Sequence, residues 1–260
     1  MLTLAGRGVI LAGARRIGAD VARRLAADGI HVAIAYRSSR AEADLLADDL
    51  RSAGVRAALV QADLADETSV ERLVTEAAEV LGDLSFVVNL ASDYPRTPLD
   101  RLDAVAWDKA MDTAKGSYLL AVHAARRMRR NPAPTRGHIV LFGDWAAGET
   151  PYVNYLPYLT AKASIHFLTR GLAAELAPHG ILVNCIAPGP TARPHEISEA
   201  EWRQIIAAKT PLDRESSASD IAELIATLLK SETITGEVIR VDAGRHIAGP
   251  GIERRRHASP

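Results

Sequence analysis

Residues Val9-Ile-Leu-Ala-Gly-Ala-Arg-Arg-Ile-Gly18 run from a short apolar stretch into a glycine-bearing turn, then into a helical stripe formed by Ile17, Val21 and Leu25. A short apolar run followed by an apolar repeat of helical period predicts a buried strand that hands directly to a helix. Glycines at such a turn let the backbone approach a pyrophosphate at the helix N-terminus, where free N–H groups and the helix dipole favour anions. Gly13, Arg16 and Ile17 are therefore candidate cofactor-binding residues. Taken alone, the same loop also fits a tight turn that carries no ligand.

The pattern repeats along the chain. Apolar runs at Val9–Ala12, His31–Tyr36, Ala57–Gln61, Phe86–Leu90, His138–Phe142, Leu182–Ile186 and Val238–Val241 predict seven strands. Between them lie helical stripes such as Val70, Leu73, Val74, Ala77 and Ile221, Leu224, Ile225, Leu228. Parallel strands joined by helices cross right-handedly, so the expected fold class is α/β: a doubly wound, Rossmann-type, seven-stranded parallel sheet with helices on both faces. We expect one domain over residues 1–249, and a tail over 250–260 that carries Arg254-Arg-Arg256 and frays or depends on a partner.

Bulk properties narrow the function classes. At 260 residues, 48% hydrophobic and 24% charged, the chain is long enough for a large core. A formal net charge of -1 gives no electrostatic reason to expect nucleic acid. The run Arg126-Arg-Met-Arg-Arg130 closes a predicted helix, where cations complement the dipole. No apolar run approaches the about 18 residues of a membrane span, and the N-terminus lacks the ordered regions of a signal peptide, so no membrane partner is expected. The single cysteine, Cys185, lies in an apolar run and reads as a buried thiol, which fits a reducing cytoplasm. The histidines show no metal-ligand spacing, and no metal is expected.

After the second strand stands Tyr36-Arg37-Ser38-Ser39, where an acidic residue would meet a free ribose 2′-hydroxyl; a cation and two hydroxyls suit a 2′-phosphate instead. This favours NADP(H), with Arg37 as a solvated loop charge the plain alternative. Asp63-Leu64 and Asn89-Leu-Ala91-Ser92 follow the third and fourth strands, at the carboxyl ends where open α/β sheets bind ligands. Asp63 also fits a helix cap.

The chemistry points to Tyr158-Leu-Thr-Ala-Lys162. A tyrosine hydroxyl titrates near about 10, so acid–base work at neutral pH calls for a nearby cation that favours the phenolate. On a helix Tyr158 and Lys162 share a face, and Lys162 is that cation.

Together these motifs resemble the short-chain dehydrogenase/reductase family from Val9 to about Gly244. The resemblance rests on the glycine turn, Asp63-Leu64, Asn89-Leu-Ala-Ser92, the Tyr158/Lys162 pair, Asn184, Pro188-Gly-Pro-Thr191, and Thr235-Gly-Glu237 before the last strand with Asp242-Ala-Gly244. It implies that Tyr158 is the acid/base and that Lys162 lowers its pKa and holds the nicotinamide ribose. It also implies that Pro188, Gly189 and Thr191 border the nicotinamide, that Asn89 helps line the adenosine side, that Asp63 meets the adenine, and that Leu64 and Ala91 belong to the cofactor-binding residues. A homo-oligomer, tetramer or dimer, is expected by the same resemblance.

Three departures narrow the choice. Ala12 and Arg16 stand where the family has glycines, and an arginine at the second place is also seen in pteridine reductase-like members. Thr113 stands at the family's active-site asparagine and lacks the amide's donors. Asp144 replaces the active-site serine. An ionised carboxylate only accepts hydrogen bonds, so it gives a simple ketone little, but it gives a charge-assisted bond to a substrate N–H or a protonated ring nitrogen. The bland reading of Asp144 is a loop carboxylate that caps a backbone turn. Pteridine reductase-like enzymes have an aspartate here. Tyr94 and Trp145 are the candidate substrate contacts, and Tyr152 and Trp202 lie on segments that border the cleft in this family. His195 to Lys209 reads as a short helical lid.

The expected function is an NADP(H)-dependent reductase of a C=N or C=O in a small planar substrate, a pterin among the candidates. The alternatives are a general carbonyl reductase of 3-oxoacyl or sugar-alcohol type, and a catalytically degenerate nucleotide-binding protein, motivated by Ala12 and Thr113.

Overall fold

The computed structural model of the chain describes residues 1–191, 193 and 198–248. In chain order the strands are β1 (Gly8–Ala12), β2 (His31–Tyr36), β3 (Ala57–Gln61), β4 (Phe86–Asn89), β5 (Gly137–Phe142), β6 (Ile181–Pro188) and β7 (Val238–Val241). They form one parallel sheet in the order β3-β2-β1-β4-β5-β6-β7. The helices are α1 (Ile17–Ala27), α2 (Arg40–Ser52), α3 (Glu67–Leu81), α4 (Ala104–Met128), α5 (Leu156–Leu176), α6 (Glu199–Lys209) and α7 (Ala218–Lys230). The expected doubly wound α/β class is the one observed.

Strand ends differ from the sequence reading where the ladder, rather than hydropathy, sets them. Gly137 pairs with Ile181 and Pro188 with Val241, so β5 and β6 each extend beyond their apolar runs, while β4 stops at Asn89 opposite Ala12.

The central strands are buried along nearly their whole length because helices cover both faces. On one face Val70, Leu73 and Ala77 of α3 pack with Leu120 and Ala124 of α4 and Ile165 of α5. On the other, Val21 and Leu25 of α1, Leu46 and Leu50 of α2 and Ile221 and Ile225 of α7 pack together. Each fully buried Val, Leu or Ile contributes about 1.5–3 kcal/mol, so these stripes fix which face each helix presents.

The helices start where their sequences supply caps. Asp66 accepts from the Thr68 amide, Asp103 from Ala106, Ser198 from Glu201 and Ser217 from Asp220. The cap of α3 is thus Asp66; Asp63 instead accepts from the Ala65 amide in the preceding turn. The helix expected over His195 to Lys209 begins at Glu199, and His195 lies outside the described residues, as does the tail after residue 248. Among the described residues no helix is long and apolar enough to cross a membrane.

The strand order reverses between β1 and β4, and all carboxyl ends lie on one edge. Gly13, Arg37, Asp63, Leu90, Gly143 and Gly189 follow those ends, so the candidate residues converge beside a topological switch point.

Candidate active site

At the switch point Gly13 adopts φ 83°, and a Cβ there would lie 2.6 Å from the Ala91 amide nitrogen and 2.7 Å from the Leu90 carbonyl carbon. Only glycine supplies this conformation without strain and lets the two chain segments touch. Arg16 precedes α1 with φ 49° and makes no side-chain cap, so the helix N-terminus carries no competing side-chain acceptor. Asn89 is buried: its Oδ1 accepts from the Ala91 amide at 3.1 Å and its Nδ2 donates to Ser117 Oγ at 3.1 Å. Ser117 in turn donates to the Thr113 carbonyl at 2.9 Å. Asn89 and Thr113 are therefore bound into one brace between β4 and α4 through Ser117, a residue the sequence reading did not single out.

The loop after β2 gathers more cations than expected. Arg37 pairs with Asp93 at 3.6 Å, Arg15 with Glu42 at 3.7 Å, and Arg40 with Asp44 at 3.0 Å while donating to Tyr36 Oη at 2.9 Å. All three pairs are exposed, and such pairs contribute about 0–1 kcal/mol each, so a phosphate can displace the carboxylates. Ser38 is exposed beside them. Arg15 and Arg40 escaped notice because cations at surface positions of a helix start are common.

At the other end of the edge, Tyr158 Oη donates to Asp144 Oδ2 at 2.9 Å. Tyr152 Oη donates to the same oxygen at 3.2 Å, and the Ala146 amide donates to Asp144 Oδ1 at 2.9 Å. The Asp144 amide donates to His166 Nε2 at 3.4 Å. Lys162 is buried, donates to the Phe142 carbonyl at 2.8 Å, and holds its Nζ 5.8 Å from the centroid of the Tyr158 ring. Tyr158 and Lys162 thus face the same cleft, one helical turn apart on α5, whose start is marked by Pro157.

The electrostatics differ from the sequence expectation. Burial and the adjacent Asp144 carboxylate push the Tyr158 phenol well above its ordinary value, so the opposition expected of a carboxylate beside a tyrosinate, joined by burial, outweighs the lowering expected of Lys162. Burial raises the Asp144 carboxyl despite the hydrogen bonds it accepts and the Lys162 charge. Burial pulls Lys162 down to about 8. The proton therefore rests on Tyr158 at neutral pH. Cys185 is buried nearby, its thiol pushed up to about 12 by burial, as expected of an inert structural thiol.

Aromatic rings cluster around the Asp144 carboxylate. Tyr94 stacks on Tyr155 with centroids 4.5 Å apart and meets Tyr158 edge-on at 4.9 Å. Trp145 stacks on Tyr152 at 6.2 Å and is itself buried, with the Arg245 guanidinium 4.6 Å over its ring. Tyr94 is 57% exposed and keeps a reachable face; Trp145 is more a wall than a free platform. Trp202 donates to Glu215 at 2.7 Å. Tyr155 and Arg245 were missed, since neither position has a motif signal. Gly189 lies against Asp242, where a Cβ would come within 2.6 Å of its Cα, and Thr191 donates to the Gly189 carbonyl at 2.9 Å. Exposed Asp63 and partly buried Leu64 stand at the far end of the same edge. Away from the site, packing of α3 on α4 brings Glu67, Glu71 and His123 together, with His123 Nε2 3.0 Å from Glu67, a grouping that no sequence spacing reveals.

A parallel sheet with a glycine turn at its switch point, and a tyrosine and a lysine at the opposite end of one cleft, defines a dinucleotide-dependent class. Over residues 11–246 the chain matches the family described as enoyl-(acyl carrier protein) reductase. It is 29% identical over 248 residues to the 3-oxoacyl-acyl-carrier-protein reductase FabG of Staphylococcus aureus, covering 93% of this chain and 98% of that one. It is 31% identical to a short-chain dehydrogenase of Burkholderia cenocepacia whose crystal structure is a complex with NADP, with TM-score 0.84 and coverage of 94% and 99%. It is 30% identical to FolM alternative dihydrofolate reductase 1 of Brucella suis, also a complex with NADP, with TM-score 0.86 and coverage of 95% and 98%. The chain belongs to the short-chain dehydrogenase/reductase family.

Proposed function

We propose that this chain is an NADP(H)-dependent reductase acting on a C=N or C=O of a small planar substrate, with a pterin the leading candidate. The observation that carries the reading is the Asp144 carboxylate, buried in an aromatic pocket and bonded to the acid/base Tyr158.

The residues present fit the cofactor. Gly13 lets the turn after β1 close onto the Leu90–Ala91 backbone, the Arg16 side chain makes no cap at the α1 N-terminus, and Arg15, Arg37, Ser38 and Arg40 surround the place where a 2′-phosphate is expected. The solved relatives in complex with NADP support the same assignment. When bound, the reduced nicotinamide supplies a hydride. The chain's own residues do the rest. Tyr158, protonated at neutral pH, delivers a proton, which suits reduction better than oxidation. Asp144 accepts from a ring N–H or, because burial raises its pKa, protonates the ring nitrogen. Lys162 lies behind the phenol and offsets negative charge as the proton leaves. Tyr94 offers a face for stacking.

The test is NADPH consumption against a panel of dihydropterins, quinones, ketones and imines, repeated with Tyr158→Phe and Asp144→Ala. Dihydropterin turnover lost in both variants is expected; turnover unaffected by Asp144→Ala overturns the reading. The likeness to a 3-oxoacyl reductase favours a general carbonyl reductase as second reading, which predicts turnover of simple ketones and indifference to Asp144→Asn. We carry with the first reading a cytoplasmic location and a homo-oligomer, the latter supported by the exposed Trp107 and Tyr118 of α4 and Phe167 of α5 and tested by light scattering.

A further inference from the structure

Past the last strand, Asp242 is buried and organises the turn that follows. Its carboxylate accepts from the Gly244 amide at 3.0 Å and the His246 amide at 2.9 Å and pairs with the His246 ring at 2.7 Å. The short 3-10 turn Arg245–Ile247 is thereby fixed, and Arg245 projects over Trp145 with its guanidinium carbon 4.6 Å from the ring centroid. Trp145 follows Asp144 in the chain and lies within 19° of parallel to Tyr152, whose hydroxyl bonds Asp144. A cation, two stacked rings and a carboxylate thus form one continuous wall of side chains. Arg245 is half-buried; burial lowers its pKa against the opposing pull of the Asp242 and Asp144 carboxylates.

We propose that Arg245 is a specificity-determining residue that binds a carboxylate carried by the planar substrate, while Asp144 binds the ring-nitrogen edge of the same molecule. The proposal rests on the reading that a planar heterocycle sits beside Asp144. A guanidinium held flat on an aromatic face loses little freedom when it forms a bidentate pair with a carboxylate. Its charge is partly desolvated before the substrate arrives, which strengthens the pair. Opposite charges at the two ends of one wall also orient the ring, because a flipped substrate would set its carboxylate against Asp144.

The experiment compares 6-carboxy-7,8-dihydropterin with 6-hydroxymethyl-7,8-dihydropterin as substrates, using NADPH and the full chain as wild type, Arg245→Gln and Arg245→Lys. Removing a charge-assisted hydrogen bond weakens binding by roughly tenfold to a hundredfold. Arg245→Gln is therefore expected to raise KM for the carboxylate at least about tenfold with kcat little changed, and to leave the hydroxymethyl compound unaffected. Arg245→Lys restores part of the loss. Equal losses on both substrates would show a merely structural role and overturn the proposal. In parallel, tryptophan quenching measures binding of quinoxaline-2-carboxylate and quinoxaline-2-carboxamide to the NADPH-loaded enzyme. The carboxylate is expected to bind at least about tenfold tighter in the wild type but not in Arg245→Gln; equal binding in the wild type overturns the proposal. If neither pterin turns over while the carboxylate preference persists, the pterin reading fails and the role of Arg245 stands.

Discussion

The Tyr158 hydroxyl donates to Asp144 Oδ2 across 2.9 Å, so the proposed proton donor leans on a carboxylate. The negative charge disfavours the phenolate and holds the phenol protonated well above its ordinary range. Asp144→Asn removes that charge with little change of shape. The Tyr158 pKa should then fall, moving the alkaline limb of kcat/KM to lower pH. A profile that stays in place on substitution would show that burial alone sets the phenol.

Lys162 supplies a second pH signature. In the unfolded chain it titrates near its ordinary 10.5; in the fold, burial pulls it to about 8. Below pH 8 both states are charged and the fold carries the whole cost of a buried ammonium. Between 8 and 10.5 the unfolded chain binds more protons than the fold, so stability climbs with pH. From pH 7 to 9.5 the climb should be about 2 kcal/mol. Urea unfolding at the two values should show it in the wild type and not in Lys162→Met.

His138 sets the acid limb. It is buried on β5 against Phe86, neither ring nitrogen meets a partner among the described residues, and burial lowers its pKa to about 4. Between 6.5 and 4 the unfolded chain takes up a proton that the fold refuses, so stability falls as pH falls through that window. His166, also lowered to about 4, adds to the same loss. His138→Leu should remove roughly 2 kcal/mol of the loss between pH 7 and 4.5, read from urea midpoints. An unchanged acid slope in the variant would assign the loss to other groups.

Gly13→Ala tests the nucleotide end. The added methyl meets the Ala91 backbone, and φ 83° is strained for any side chain. We expect a loss of at least about 1 kcal/mol in stability, together with weakening of NADPH binding by more than about tenfold in a fluorescence titration. Wild-type affinity in the variant would remove Gly13 from the cofactor site.

The sequence by itself determined the layer architecture. Seven apolar runs spaced by helical stripes admit little else, since both faces of a parallel sheet must be covered and the crossovers have one hand. It also placed Gly13, Tyr158 and Lys162 at one edge, because hydropathy marks strand ends and helical period marks faces. Only the tertiary structure decided the electrostatics and the walls of the site. That Asp144 receives the Tyr158 hydroxyl, that burial overrides the lysine in setting the phenol, and that Ser117 ties Asn89 to Thr113 depend on distances between segments far apart in the chain. Tyr155 under Tyr94, Arg245 over Trp145, and Arg15 and Arg40 beside Arg37 belong to the same group. Charge and stacking energies change steeply over a few ångströms, and periodicity carries no information at that scale.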